Sequence, residues 1–295
     1  MPQLFGVPLQ ALFGQLLIGL INGSFYALLS LGLAVIFGLL NIINFAHGAL
    51  YMMGAFVAWM LFQYLGLGYW WALILAPLIV GGFGIVVERA LLSRLYKLDH
   101  LYGLLLTFGL ALVIQGVFRN QFGSSGLPYV IPQSLSGGQN LGFMFLPNYR
   151  AWVVVASVAI CLSTWFVIER TKLGSYLRAA TENPTMVQAF GINVPRMITL
   201  TYGFGVGLAA LAGVMAAPIY QVNPLMGADL IIVVFAVVVI GGMGSILGSV
   251  LTGFALGIAE GLTKVFYPEA SNTVVFVIMA IVLLIKPAGL FGKAS

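Results

Sequence analysis

Long apolar runs dominate the chain, and short polar segments separate them. A helix that crosses a bilayer needs about 20 largely apolar residues, because the hydrocarbon core is about 30 Å thick. The runs predict about eight spans, at residues 9–30, 31–65, 69–92, 101–118, 151–168, 198–219, 229–265 and 273–285. We therefore predict an all-α polytopic membrane protein that forms a single transmembrane domain over residues 1–295.

Two of these runs, 31–65 and 229–265, are too long for one simple crossing, and each contains an interruption. Polar residues break the first run near 41–48, and the sequence Gly-Gly-Met-Gly-Ser breaks the second at 241–245. Non-helical backbone at membrane depth is stable only where it is buried in protein or faces water. Paired interruptions in two halves of a chain point to a transport path near the bilayer midplane. We therefore predict broken or re-entrant helices at both places.

Polar side chains in the first interruption share a face if the segment is helical. At about 100° per residue, Asn41, Asn44, His47 and Tyr51 fall within about 120° of one another. They would line one wall of the path. The alternative is that they form hydrogen bonds between helices, which contribute about 0.6 kcal/mol on average. His47 is the best path candidate, because ionisable residues inside membranes are functional by default.

Three residues near the second interruption are further path candidates, namely Asp229, Gly244 and Ser245. For Asp229 the alternative is a structural role at the start of a helix, where its carboxylate would accept amide hydrogens. Ser245 and His47 could in principle form a protease dyad, but a serine nucleophile needs its base within hydrogen-bond reach. Nothing in the sequence brings these two residues together, so a protease is disfavoured.

The composition and the charges agree with a membrane protein and predict its orientation. Hydrophobic residues make up 61% of the chain and charged residues 6%, against about 25% charged in soluble domains. Lys and Arg concentrate on the cytosolic side of membrane proteins. Residues 88–100, the loop 169–196 and the C-terminal Lys286 and Lys293 are therefore predicted to be cytosolic. The loop 120–148 is then extracytoplasmic.

The sequence contains no recognisable motif for catalysis or for cofactor binding. The two histidines and seven carboxylates have no metal-ligand spacing, and no glycine-rich loop is followed by the Lys and Ser or Thr that hold phosphates. We therefore expect no metal site, no ATP site and no enzyme activity. A channel or a secondary transporter remains open, since both would use broken helices. The polar loop 169–196 favours a soluble cytosolic partner instead.

Four motifs resemble those of the permease subunits of branched-chain amino-acid ABC importers, and their order and spacing resemble the smaller permease of that family. The motifs are Asn44-Phe45-Ala46-His47-Gly48 with Tyr51, Met52 and Gly54; Arg178-Ala179 with Glu182-Asn183 and Gly191-Ile192-Asn193; Gly241-Gly242-Met243-Gly244-Ser245; and Pro287-Ala288-Gly289-Leu290-Phe291-Gly292. The resemblance runs from the first span to the last few residues. Lys286 departs from it, because the family more often has Arg before this proline.

The resemblance implies an importer permease for branched-chain or related small amino acids in a bacterial inner membrane. It leaves urea, short amides and small carboxylates open as substrates. The implied partners are a second homologous permease, two cytosolic ATPases and an extracytoplasmic substrate-binding protein. ATP and Mg would bind to the ATPases, and no cofactor would bind to this chain.

The resemblance also implies that a short cytosolic helix fits a groove on an ATPase. The candidate is residues 175–190, ended by Gly191, whose missing side chain suits a helix C-terminus. Because the residue before a proline avoids helical geometry, the helix would alternatively begin at Pro184 with Asn183 as its cap. The predicted coupling residues are Arg178, Ala179, Glu182, Asn183, Gly191 and Asn193.

Overall fold

The computed structural model describes residues 3–4, 7–40, 42–96 and 98–292, so Asn41 and Lys293 lie outside the described residues. Within these ranges the chain forms helices and two short antiparallel strand pairs. The helices are α1 (Leu9–Leu40), α2 (His47–Leu65), α3 (Tyr69–Ala90), α4 (His100–Phe122), α5 (Asn148–Arg170), α6 (Lys172–Glu182), α7 (Pro184–Ala189), α8 (Val194–Tyr220), α9 (Ala228–Gly241), α10 (Ile246–Phe266) and α11 (Val274–Ile285). The strand pairs are β1 (Gln3–Leu4) with β2 (Val7–Pro8), and β3 (Gly138–Asn140) with β4 (Phe145–Pro147). Single turns of 3₁₀ helix occur at Leu92–Arg94, Gln133–Leu135 and Pro268–Ala270.

Seven of the described helices are long and apolar enough to cross a membrane: α1, α2, α3, α4, α5, α8 and α10. Two apolar helices are shorter. α9 has 14 residues and α11 has 12, which correspond to about 21 Å and 18 Å. Neither reaches across a hydrocarbon core of about 30 Å. The prediction of an all-α polytopic membrane protein is confirmed, with seven full-length helices where about eight spans were predicted.

The predicted boundary between the first two spans, at Ser30 and Leu31, is wrong. α1 is one continuous helix of 32 residues. Ser30 does not interrupt it, because its hydroxyl donates to the Ala27 carbonyl oxygen at 3.1 Å within the same helix. No glycine pair, proline or charge lies nearby to end the helix. The helix ends only before the polar interruption, and α2 begins at His47 after it.

The chain divides into two compact units. The first comprises Met1–Ser30, Ile131–Leu162 and Val233–Ser295, and the second comprises Leu31–Val130 and Ser163–Ile232. The prediction of a single transmembrane domain stays a prediction.

The first unit packs α1 against α10 through small residues. An added side-chain carbon at Gly19 would lie 2.5 Å from the Gly257 carbonyl oxygen, and one at Gly253 would lie 2.6 Å from the Ala27 Cα atom. The two helices therefore run antiparallel, with their backbones in close contact. A second cluster of this unit joins α9, α10 and α11 through Val237, Leu256 and Val275.

The second unit is centred on α8, which packs against α2 and α3. A side-chain carbon added at Gly54 of α2 would collide with the Ala210 backbone of α8, and one at Gly213 would collide with the Tyr51 carbonyl group. One added at Gly203 would lie 2.5 Å from the Ile85 side chain of α3. Because of these close contacts, a displacement of the N-terminal end of α8 would be passed to α2 and α3.

Candidate functional site

Asn44 holds the first interruption in place. Its Nδ2 atom donates to the Tyr202 hydroxyl of α8 at 3.1 Å, and its Oδ1 atom accepts from the Ala46 amide at 3.1 Å. The next amide, at Phe45, donates to the Thr107 hydroxyl of α4 at 3.1 Å. Asn44 and Thr107 are fully buried. Two amides of the non-helical backbone are thus satisfied, one by Asn44 itself and one by a side chain of α4, as the apolar surroundings require.

His47 and Tyr51 follow Asn44 along α2, and both are also buried. The His47 ring packs against the bare backbone of α1, since a side-chain carbon at Gly32 would lie 3.0 Å from its Cε1 atom. The Tyr51 hydroxyl has no hydrogen-bond partner among the described residues. The structure therefore brings Asn44, His47 and Tyr51 together inside the second unit. Their role in lining a path stays a prediction, and Asn41 lies outside the described residues.

The second interruption is a tight glycine turn between α9 and α10. Gly242 has a φ of 100° and Gly244 a φ of 97°, values that residues with a side chain rarely adopt. Ser245 caps α10, because its hydroxyl oxygen accepts from the Gly248 amide at 3.1 Å. Asp229 lies in the first turn of α9 and is exposed, which suits the structural role at a helix start. For Asp229, Gly244 and Ser245 the role in a path stays a prediction.

The C-terminal segment packs onto this glycine turn, which the sequence reasoning did not predict. The amides of Leu290 and Phe291 donate to the carbonyl oxygens of Ile240 and Gly241 at 2.8 and 3.1 Å. The last carbonyl groups of a helix have no partner within it, so the segment caps α9 from outside. We call residues 286–292 the C-terminal clasp. Two separate sequence motifs thus form one structural feature.

The predicted coupling segment consists of two helices and not of one uninterrupted helix. α6 ends at Glu182, and α7 begins at Pro184 with Asn183 as its cap. The Asn183 Oδ1 atom accepts from the Met186 amide at 3.0 Å. Gly191 follows α7 with a φ of 81°, as expected for a glycine that ends a helix. The alternative in which the helix begins at Pro184 is therefore confirmed.

The other predicted coupling residues have separate places around these helices. Asn193 caps α8, with its Oδ1 atom accepting from the Arg196 amide at 3.0 Å. Arg178 forms an ion pair with Glu169 at 3.2 Å, and both side chains are about 40% exposed. Ala179 and Glu182 are exposed. The structure therefore gives Asn183 and Asn193 capping roles and leaves Ala179 and Glu182 on the surface.

A small apolar cluster attaches α6 and α7 to the start of α8. Ala180, Val187 and Val194 are buried against one another, with Ile192, Met197 and Ile198 packed around them. Other large apolar side chains of the same segment are exposed, among them Met186 at 61% and Phe190 at 77%. A polar segment that exposes such side chains beside charges is typical of a surface that binds another protein.

Glu88 forms a buried hydrogen-bonded group that the sequence reasoning missed. It is only 2% exposed, although it lies near the predicted cytosolic end of α3. Its carboxylate accepts from the Tyr96 hydroxyl and from the Thr199 hydroxyl of α8, both at 2.6 Å. Burial raises the pKa of the Tyr96 phenol, and its hydrogen bond to the Glu88 carboxylate raises it further. Tyr96 therefore remains a donor, and the group ties the ends of α3 and α8 together.

No signal in the sequence pointed to this group, because Glu88 looked like an ordinary charge at the end of a span. Thr199 lies 111 residues away along the chain. Among the residues that the structure describes, no three His, Cys, Asp or Glu side chains come together in a way that could hold a metal ion.

Comparisons with known proteins agree on one family. Residues 15–285 match the family described as branched-chain amino acid transport system / permease component. The chain is 30% identical over 296 residues to the high-affinity branched-chain amino acid transport system permease protein LivH of Escherichia coli strain K12, with 95% of each chain covered. It is 30% identical over 292 residues to the corresponding protein BraD of Pseudomonas aeruginosa, again with 95% of each covered.

A more distant similarity involves the high-affinity branched-chain amino acid transport system permease protein LivM of Escherichia coli strain K12. The identity is 27% over 292 residues, which cover 90% of this chain and 67% of LivM. No solved structure matches the chain.

Proposed function

Because the chain belongs to the family of permease components of branched-chain amino acid transport systems, we propose that it imports branched-chain amino acids as one membrane subunit of an ATP-driven transporter. The match over residues 15–285 is the observation that carries this proposal. The interrupted helices of both units support it, because transporters place substrates where membrane helices are broken.

The complete transporter contains, in this proposal, a second permease, two cytosolic ATPases and an extracytoplasmic substrate-binding protein. Similarity to both LivH and LivM, which are permease proteins of one system, supports a pair of homologous permeases. The complex lies in the inner membrane of a bacterium. ATP and Mg bind to the ATPases, and this chain contributes no catalytic group and no cofactor.

Coupling in this proposal begins at α6 and α7. An ATPase binds the exposed side chains of Met186 and Phe190, and its closure on ATP displaces the segment as a rigid body. The buried contact between Val187 and Val194 passes the displacement to α8. Eight residues further along α8, about 12 Å away, Tyr202 accepts the hydrogen bond from Asn44 at the first interruption. The segment and the interruption are thus linked through one helix.

Reconstitution tests the assignment. Proteoliposomes that contain this chain alone should take up no leucine, isoleucine or valine. Proteoliposomes with both permeases and both ATPases, supplied with loaded binding protein outside and ATP inside, should accumulate these amino acids. Uptake by the chain alone, driven by an ion gradient, would instead establish a secondary transporter. Uptake of urea but not of leucine by the complete complex would refute the substrate assignment.

Changes in the coupling segment should reduce the stimulation of ATP hydrolysis by substrate. Gly191→Val forces a branched side chain into the left-handed conformation, which costs about 1–2 kcal/mol or more. Glu182→Lys reverses an exposed charge beside the proposed ATPase contact. We expect each variant to lower substrate-stimulated ATP hydrolysis at least fivefold, or to release the ATPases during purification, while the loaded binding protein still binds.

Two substitutions serve as matched controls for these variants. Gly66→Val introduces the same strain, because Gly66 also follows a helix with a positive φ, of 64°, and has open space around it. Glu269→Lys reverses an exposed charge in the single turn Pro268–Ala270, outside the coupling segment. Both controls should retain stimulation. If Gly191→Val and Glu182→Lys also retain full stimulation and full ATPase recovery, α6 and α7 do not form the coupling site.

A further inference from the structure

An apolar groove runs along the joint between α3 and α8 in the second unit. Its volume is about 560 Å³, and its floor is made by the close contact of the two helix backbones at Gly81, Gly203 and Gly207. Its walls include Leu78 and Phe204, which are well exposed. On α3 the lining runs from Leu73 to Ile85, a length of about 18 Å. That length is close to half of a hydrocarbon core of about 30 Å, which is the depth of one leaflet.

A polar cavity of about 590 Å³ lies at the ends of the same two helices, next to the groove. It is lined by Arg89, one helical turn beyond Ile85 on α3, and by Arg196 and Thr199, one to two turns before Gly203 on α8. The positive charges concentrated here also place this end at the cytoplasmic surface. Along α3 and α8, the apolar groove therefore ends one to two helical turns from two arginines.

The charges of this cavity are not balanced within the chain. Arg89 and Arg196 are exposed, and neither forms an ion pair with any residue that the structure describes. The one carboxylate in the cavity lining, that of Glu88, already accepts hydrogen bonds from Tyr96 and Thr199. Paired guanidinium groups are well suited to bind a phosphate, because their N–H groups match its oxygens in geometry and in charge.

We propose that this joint is a binding site for one phospholipid of the cytoplasmic leaflet. An acyl chain lies in the groove against the glycine floor, and the lipid phosphate binds between Arg89 and Arg196. A membrane helix of a partner protein would fill the groove, but it would need acidic side chains at its end to pair with the guanidinium groups. A phospholipid supplies the apolar chain and the anion in one molecule, at the depths where the groove and the arginines lie.

One variant tests the groove and another tests the phosphate contact. Gly82 lines the groove, and a side chain added there meets nothing within 4 Å, so Gly82→Leu fills the groove without disturbing the fold. The double variant Arg89→Gln with Arg196→Gln removes both charges. As controls, Gly116→Leu adds the same side chain to an open, exposed position of α4, and Arg119→Gln with Arg150→Gln removes two charges elsewhere.

The measurement is native mass spectrometry of the full chain, delipidated in mild detergent and titrated with dioleoyl phosphatidylglycerol. The parent chain and both controls should retain one lipid per chain, whereas the groove variant and the arginine variant should each weaken retention at least tenfold. Glycerol phosphate and inorganic phosphate, which lack acyl chains, should compete poorly. Equal retention by the parent and by Gly82→Leu would overturn the proposal. It would also be overturned if the double arginine variant retained the lipid as tightly as the parent chain.

Discussion

Replacing Gly242 by alanine is expected to reduce substrate uptake by the assembled transporter at least tenfold. Gly242 has a φ of 100°, where a residue with a side chain is strained by about 1–2 kcal/mol or more. The added carbon would also lie 2.8 Å from the Gly292 Cα atom and would collide with the Gly292 amide nitrogen. The turn between α9 and α10 and the C-terminal clasp cannot both keep their positions. The clasp amides would then leave the carbonyl groups of Ile240 and Gly241 unpaired.

The effect is measured as substrate uptake per purified complex. Two further variants serve as a control and as a second test of the same contact. Gly116→Ala is the matched control, because Gly116 lies in a helix with open space around it, and it should transport like the parent chain. Leu290→Pro attacks the same contact from the other side, since proline lacks the amide that donates to the Ile240 carbonyl oxygen. It should reproduce the loss. Normal uptake by both Gly242→Ala and Leu290→Pro would show that transport does not require this turn geometry.

Removing the buried carboxylate by Glu88→Ala should have the second largest effect. The Tyr96 and Thr199 hydroxyls both lose their acceptor at Glu88, and a typical intramolecular hydrogen bond contributes about 0.5–1.5 kcal/mol. Thr199 keeps a second acceptor, the Pro195 carbonyl oxygen at 3.0 Å, and Tyr96 is 41% exposed, so its hydroxyl can bond to water. The main effect is therefore the loss of the Glu88–Thr199 link between α3 and α8. The ends of α3 and α8 would separate near the coupling segment. We expect at least a fivefold loss of substrate-stimulated ATP hydrolysis and of uptake.

A double-mutant cycle isolates the contribution of this group. Tyr96→Phe removes the donor without changing the ring, and the free energies of unfolding of Glu88→Ala, Tyr96→Phe and the double variant give the coupling energy. We expect the double variant to be less impaired than the sum of the single variants, because both single variants remove the same hydrogen bond between Tyr96 and Glu88. Glu269→Ala, an exposed carboxylate in the turn Pro268–Ala270, is the control and should behave as the parent. Strict additivity would contradict an energetic contribution of the hydrogen bond between Tyr96 and Glu88.

Local features of the structure were predicted well. Each depends on residues that are neighbours in the chain, such as the apolar length of a span, the polar break near residues 41–48 and the glycines at 241–245. The break between α6 and α7 is of the same kind. An amide cap at Asn183, a proline at the first helical position and a left-handed glycine at Gly191 act within a few residues of one another.

The error at Ser30 has a local reason as well. A serine inside an apolar run reads as a possible end of a helix, but its hydroxyl can bond to a carbonyl of the preceding turn. Ser30 does this with Ala27, and α1 continues to Leu40. The hydropathy of the run could not distinguish the two outcomes, because both place Ser30 in the membrane.

Taken by itself, the sequence determined the membrane class, the places where helices break and the family, because hydrophobic length, turn residues and motifs are properties of short stretches of chain. Only the tertiary structure decided which stretches meet. It placed the C-terminal clasp on the glycine turn, Tyr202 on Asn44, and Thr199 on a buried Glu88. Nearly every side chain in such a protein is apolar, so many helix pairings would bury similar surface. The choice among them depends on backbone approach at glycines and on a few buried hydrogen bonds, which become visible only when distant segments are in contact.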